Sequence, residues 1–151
     1  MTDQHNAWTK LLDAAGGAVV DLKKITHPGG GEQLFAATLV GVFHSNDDGD
    51  TWALFGDASV PPMVQTLSLA SDPVAGQLLF AGTSVGLFYT TVDQPNWQVL
   101  LAGVSVLAIG IASSDPLNHP IVIATEELDL LRSEDRGQEW HDANAGINWV
   151  D

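Results

Sequence analysis

Four tryptophans mark a repeat: Trp8, Trp52, Trp97 and Trp140 are spaced 44, 45 and 43 residues apart. Behind each of the last three lies one pattern. It reads Phe35-Ala36-Ala37-Thr38 then Gly41-Val42-Phe43-His44-Ser45 in the first unit, and Phe80-Ala81-Gly82-Thr83 then Gly86-Leu87-Phe88-Tyr89-Thr90 in the second. In the third it reads Ile123-Ala124-Thr125-Glu126 then Asp129-Leu130-Leu131-Arg132-Ser133. A period of this length, made of short apolar runs with turn residues between them, describes one small unit stacked on copies of itself.

Within each unit the runs are too short and too often interrupted by Gly or Pro for a long helix, although an Ala-rich piece such as 11–15 could make a helical turn. The apolar runs are β-branched or aromatic, so the chain is expected to be all-β. Strands are expected at 18–25, 33–38, 42–45 and 52–55 in the first unit, and at 63–70, 77–83, 86–90 and 97–101 in the second. The third unit is expected to use 104–112, 120–125, 130–133 and 139–143. Four antiparallel strands per period suit a β-propeller blade. Runs such as Leu78-Leu79-Phe80-Ala81 and Ile121-Val122-Ile123-Ala124 need cover on both faces, which blade-on-blade stacking supplies. The expected division is an orphan outer strand in 1–16, blades at 17–58, 59–102 and 103–146, and a tail at 147–151. The orphan strand is read from Asp3 and Trp8, whose spacing repeats in later units, and from Trp8-Thr9-Lys10-Leu11-Leu12.

Each unit turns into its fourth strand through a related stretch. Ser45-Asn46-Asp47-Asp48-Gly49-Asp50-Thr51-Trp52 and Ser133-Glu134-Asp135-Arg136-Gly137-Gln138-Glu139-Trp140 both read S-x-D-x-G-x-x-W. A carboxylate there can accept turn amides, a Gly can take positive φ, and a Trp can pack between blades. The middle copy has decayed: Thr90 and Trp97 survive, Val92 replaces the acid and Gln94 the Gly. Asp93, one place late, is the candidate substitute. The S-x-D-x-G-x-x-W motif resembles the Asp-box of BNR-repeat propellers, and Ser45, Asp47, Gly49, Trp52, Thr90, Trp97, Ser133, Asp135, Gly137 and Trp140 match it as structural positions. Such boxes specify a fold rather than a reaction.

Three blades occupy roughly 132 residues, whereas closed propellers need at least four. An arc of three leaves two apolar flanks that soluble proteins avoid exposing. Self-association is the expectation: two copies closing a six-bladed ring, with a trimer as the second choice and the orphan strand completing the partner's last blade. The alternative is that the chain is a piece of a longer propeller.

The chemistry implied by the resemblance fits poorly. Sialidases carry Asp-boxes but use three arginines and a tyrosine nucleophile, while this chain has only Arg132, Arg136 and Tyr89. The photosystem assembly factors resembled in the same way are associated with a basic patch, and here only Lys23-Lys24 cluster. Sortilin-type receptors and xyloglucan hydrolases share the repeat. A hydrolase needs two opposed carboxylates, and the best local cluster is Glu126, Glu127 and Asp129 in the third hairpin. That cluster reads more simply as a solvated hairpin tip that discourages edge pairing.

Acidic residues outnumber basic ones 19 to 5, a net charge of -14, which disfavours nucleic acid and anionic membranes as partners. With no cysteine, disulfides and thiolate sites are excluded. Asp47-Asp48-Gly49-Asp50 lacks the order of a calcium loop, and His5, His27, His44, His119 and His141 lack zinc spacing. Gly29-Gly30-Gly31 has no following Lys-Ser/Thr, so it reads as a strand connection. No metal or cofactor is expected. Residues 1–6 lack the features of a signal peptide, and a cytoplasmic location is the default expectation. The functional expectation is a non-catalytic module that assembles with itself and presents loops to a protein or glycan. A carbohydrate-active protein is the alternative. Trp149, outside the repeat spacing, is the tryptophan most free for either role.

Overall fold

The computed structural model describes residues 17–57, 61–72, 74–111 and 120–147, and every regular element in them is a β-strand. The first sheet holds β1 (Val19–Thr26), β2 (Glu32–Thr38), β3 (Gly41–Ser45) and β4 (Ala53–Leu54). The second holds β5 (Val64–Asp72), β6 (Gly76–Thr83), β7 (Gly86–Thr91) and β8 (Gln98–Ala102). The third holds β9 (Val106–Ile111), β10 (Ile121–Thr125), β11 (Asp129–Ser133) and β12 (His141–Asp142). Each is an antiparallel meander whose spatial order is the chain order. The chain is therefore all-β, with three four-stranded propeller blades. The expected orphan strand, the loop at 115–119 and Trp149 lie outside the described residues.

The same devices recur in each blade. Thr38 and Thr83 close their two-residue hairpins by donating to the Gly41 and Gly86 carbonyls, at 2.8 and 2.9 Å. Their hydroxyls also accept the amides of Val40 and Val85. Thr125 does the same work over one more residue, bonding the Asp129 carbonyl and the Leu128 amide. Asp129 takes φ 57 there, where Asp is better tolerated than most side chains. Each inner strand carries one bulge near its start, at Val20, Gln65 and Leu107.

Register corrects one alignment. Val19, Val64 and Val106 pair with Thr38, Thr83 and Thr125, so the third-blade counterpart of Phe35 and Phe80 is Val122, not Ile123. The extra hairpin residue hides this shift in the sequence. The fourth strands of blades one and three are also shorter than expected. Trp52 and Trp140 belong to the turns, their indoles being tied back to Gly49 and Gly137.

Packing follows from alternation along the central strands. Phe35 and Ala37 point from blade one toward blade two and meet Leu79, Ala81, Val64, Leu67 and Trp97 in one buried cluster. Phe80 and Leu78 point onward and meet Ile121, Ile123 and Val106 in a second. Each Val, Leu, Ile or Phe among them, fully buried, contributes ~1.5–3 kcal/mol. At the second junction Gly82 is required: a Cβ there would lie 2.6 Å from Thr66 Cγ2 and 2.7 Å from Val106 Cγ1.

Candidate functional site

The two intact turns are closed hydrogen-bond systems. Ser45 donates to Asp47 Oδ1 at 2.7 Å and accepts the Gly49 amide at 2.9 Å. Asp47 also accepts the Thr51 amide at 2.8 Å and the Thr51 hydroxyl. Its pKa falls to about 2, first because of the Thr51 hydroxyl, then the Thr51 amide and Ser45. In the third blade Ser133 donates to Asp135 and accepts the Gly137 amide, both at 2.8 Å. Asp135 accepts the amides of Gln138 and Glu139, and the latter bond is the main cause of its lowered pKa. The chain bends through two left-handed residues in succession, Asp48 (φ 59) and Gly49 (φ 94), then Arg136 (φ 63) and Gly137 (φ 87). With the Asp47 oxygens engaged in the turn, the motif accounts for its own carboxylate. Among the described residues no three His, Asp or Glu side chains converge as metal ligands.

The decayed turn is held differently. Thr90 accepts the Asn96 amide at 2.7 Å and Thr91 donates to the Gln94 carbonyl at 2.8 Å. Among the described residues Asp93 contributes no hydrogen bond, so it does not replace the missing acid. Trp97 is released from its own turn and donates instead to the Phe55 carbonyl of blade one, at 2.9 Å.

At the opposite end of the blades, Glu126, Glu127 and Asp129 sit together at the exposed third hairpin. Glu127 has a structural task, accepting the Ser105 amide at 3.2 Å, while the Glu126 amide donates to the Ser105 carbonyl. The connectors into the other hairpins bond likewise, Met63 to Leu39 and Gly103 to Val85.

Sequence reading missed a cleft between blades two and three. It measures about 230 Å³ and is lined by Leu78, Phe80, Tyr89, Leu100 and Ile121, with Asp72 and Arg136 at its polar side. Asp72, 5% exposed, caps the amides of Val74 and Ala75 and meets Arg136 at 3.3 Å. An Asp before Pro-x-x-Gly is the available signal, since such a residue readily caps its own turn.

The outer sides of blades one and three expose apolar residues. The side of blade one that faces away from blade two carries Leu22, Leu34, Phe43 and Trp52. Equivalent positions are buried or partly buried where a preceding blade exists. Val64 and Val106 are 0% exposed, whereas Val19 is 44% exposed. Leu67 is 2% exposed, whereas Leu22 is 59% exposed. The far side of blade three presents Val122, Ala124, Leu130 and Arg132, and a hollow of about 260 Å³ lined by Ala124, Thr125, Asp129, Leu130, Asn144 and Ile147.

No protein-family model matches the chain, and no curated protein matches it. Among solved structures the chain is similar to an ancestral GH74 enzyme known from a crystal structure, with a TM-score of 0.61 and 20% identity. The match covers 89% of this chain and 19% of that one. The likeness is one of fold: this chain belongs, by architecture, with β-propeller-like proteins, and it spans about a fifth of that enzyme. No helix among the described residues is long and apolar enough to cross a membrane.

Proposed function

We propose that this chain is a non-catalytic propeller module that joins with copies of itself to close a ring and presents its loops as an interaction surface. Two copies give six blades, related by a rotation that brings each third blade against a first blade. The observation that supports this is the exposure of Val19, whose counterparts Val64 and Val106 are buried, and of Leu22, whose counterpart Leu67 is buried. Leaving a Val or Leu side chain in water forgoes ~1.5–3 kcal/mol of burial each, a large loss against a domain stability of ~5–15 kcal/mol. The Asp-box resemblance fits this reading because Asp47 and Asp135 are used to build turns. Sedimentation of the chain at micromolar concentration tests it, since an assembled ring sediments as a multiple of the chain mass.

A second reading is favoured by the similarity to the GH74 enzyme: a carbohydrate-active protein with its site at the channel mouth. Glu126, Glu127 and Asp129 are its candidate carboxylates, and the Ser105–Glu127 bond weighs against it by committing one of them to structure. A glycan array followed by an assay for released sugar separates the two readings.

A further inference from the structure

We infer that, in the ring proposed above, copies meet in the register of the two internal junctions, so that Arg132 of one copy faces Asp48 of the next and Val19 of the next seats on Ala124. The inference rests on self-assembly and specifies which residues carry it.

The repeat supplies the geometry. At the first junction Val64 shares a buried cluster with Ala37, and at the second Val106 lies against Gly82. Ala37, Gly82 and Ala124 occupy one register position, immediately before the hairpin threonine, and all three are small. Val19 is the counterpart of Val64 and Val106, and Ala124 lines an open hollow on the far side of blade three. A third junction of the same kind places Val19 of a second copy there, and Leu22 beside it, as Leu67 and Ile109 are placed at the internal junctions.

One pair of charged positions agrees with that register. In the cleft of the second junction, Tyr89 of blade two and Arg136 of the next blade's turn line the same space. The counterpart of Tyr89 in blade three is Arg132, because both pair with the residue three before the hairpin threonine. The counterpart of Arg136 in blade one is Asp48, at the same place in the turn and with nearly the same φ, 63 against 59. Closing the ring therefore brings a guanidinium to an Asp48 carboxylate flanked by Asp47 and Asp50. Among the described residues Arg132 is held by Glu134, at 2.9 Å across an exposed pair. Such surface pairs are worth ~0–1 kcal/mol, so Arg132 is free to exchange partners. In a chain of net charge -14, copies repel one another at long range, and a matched pair at the junction fixes register against that repulsion.

Charge exchange tests this. Arg132→Glu and Asp48→Arg are made in separate chains and each is examined by sedimentation alongside the unaltered chain. The backbone at 48 accepts an arginine, as Arg136 shows at the equivalent position. Thermal unfolding of each variant confirms that it is folded. Each variant alone places like charges at every junction and should associate ~10-fold or more weakly. An equimolar mixture of the two places opposite charges at both junctions and should recover assembly. If the unaltered chain assembles but the single variants assemble equally well, or the mixture of folded variants fails to recover, the register is wrong while ring formation stands. If the unaltered chain is monomeric, ring formation itself fails. An engineered Val19→Cys, Ala124→Cys pair gives a second readout: with no native cysteine, a disulfide between chains on oxidation can come only from these positions. A chain that assembles without forming it also contradicts the register.

Discussion

Trp97 donates its indole N–H to the Phe55 carbonyl of the preceding blade at 2.9 Å, and the two rings meet edge to face at 6.3 Å. The equivalent tryptophans, Trp52 and Trp140, bond within their own turns instead. Loss of the middle turn's acid and glycine thus accompanies a changed role for its tryptophan, from closing a turn to joining two blades. Trp97→Phe should cost ~1–3 kcal/mol, because the Phe55 carbonyl is left without its partner in a buried site. Trp52→Phe, in a half-buried and local setting, should cost less than ~1.5 kcal/mol. Urea unfolding of both variants checks the order.

Gly82→Ala should destabilise the chain by ~1–3 kcal/mol through overpacking, since the added carbon meets Thr66 and Val106 well inside contact distance. Gly29→Ala is the control. No atom lies within 4 Å of its would-be Cβ, and the change should stay within ~0.5 kcal/mol. The same denaturation experiment reads both.

Acid should loosen the intact turns before it affects the decayed one. Unfolded Asp47 titrates near 3.8, while in the fold it stays ionised down to about 2. Its stabilising effect is therefore complete above about pH 4 and is lost as pH falls through about 2. Asp135, also lowered, acts in the same direction. Asp47→Asn should flatten the dependence of stability on pH in that window and leave the profile above it unchanged. Denaturant midpoints measured from pH 5 to pH 2 would reveal this.

Glu127→Ala should lower stability by ~0.5–1.5 kcal/mol through loss of its bond to the Ser105 amide, and Glu126→Ala should stay within ~0.5 kcal/mol. On the non-catalytic reading neither variant has any sugar release to lose. A measurable activity abolished by Glu127→Gln would instead favour the carbohydrate-active reading.

The blades were legible in the sequence because their signals are local: in blades one and two a threonine three places before a glycine, at the end of each turn a tryptophan, and central runs alternating between two faces. The rest depends on register within a blade or on contacts between blades. One extra residue in the third hairpin disguised Val122 as the partner of nothing and promoted Ile123 in its place. Asp93 looked like a displaced acid, yet the turn rests on two threonine hydroxyls. The Asp72–Arg136 pair joins residues far apart in the chain and has no periodic trace. Blade three already carries β12 as its fourth strand, so the place expected for a partner's orphan strand is filled. The flanks were foreseen from a blade count, but Val19 and Leu22 emerge as their markers only when register aligns them with Val64 and Leu67.

Ring closure is tested by the mass of the chain in solution. Sedimentation equilibrium of the 151-residue chain at micromolar concentration should return about twice 16.0 kDa, with three times that mass as the less favoured closure. A single stable species of 16.0 kDa, its Val19 and Leu22 flank uncovered by a second copy, would contradict it.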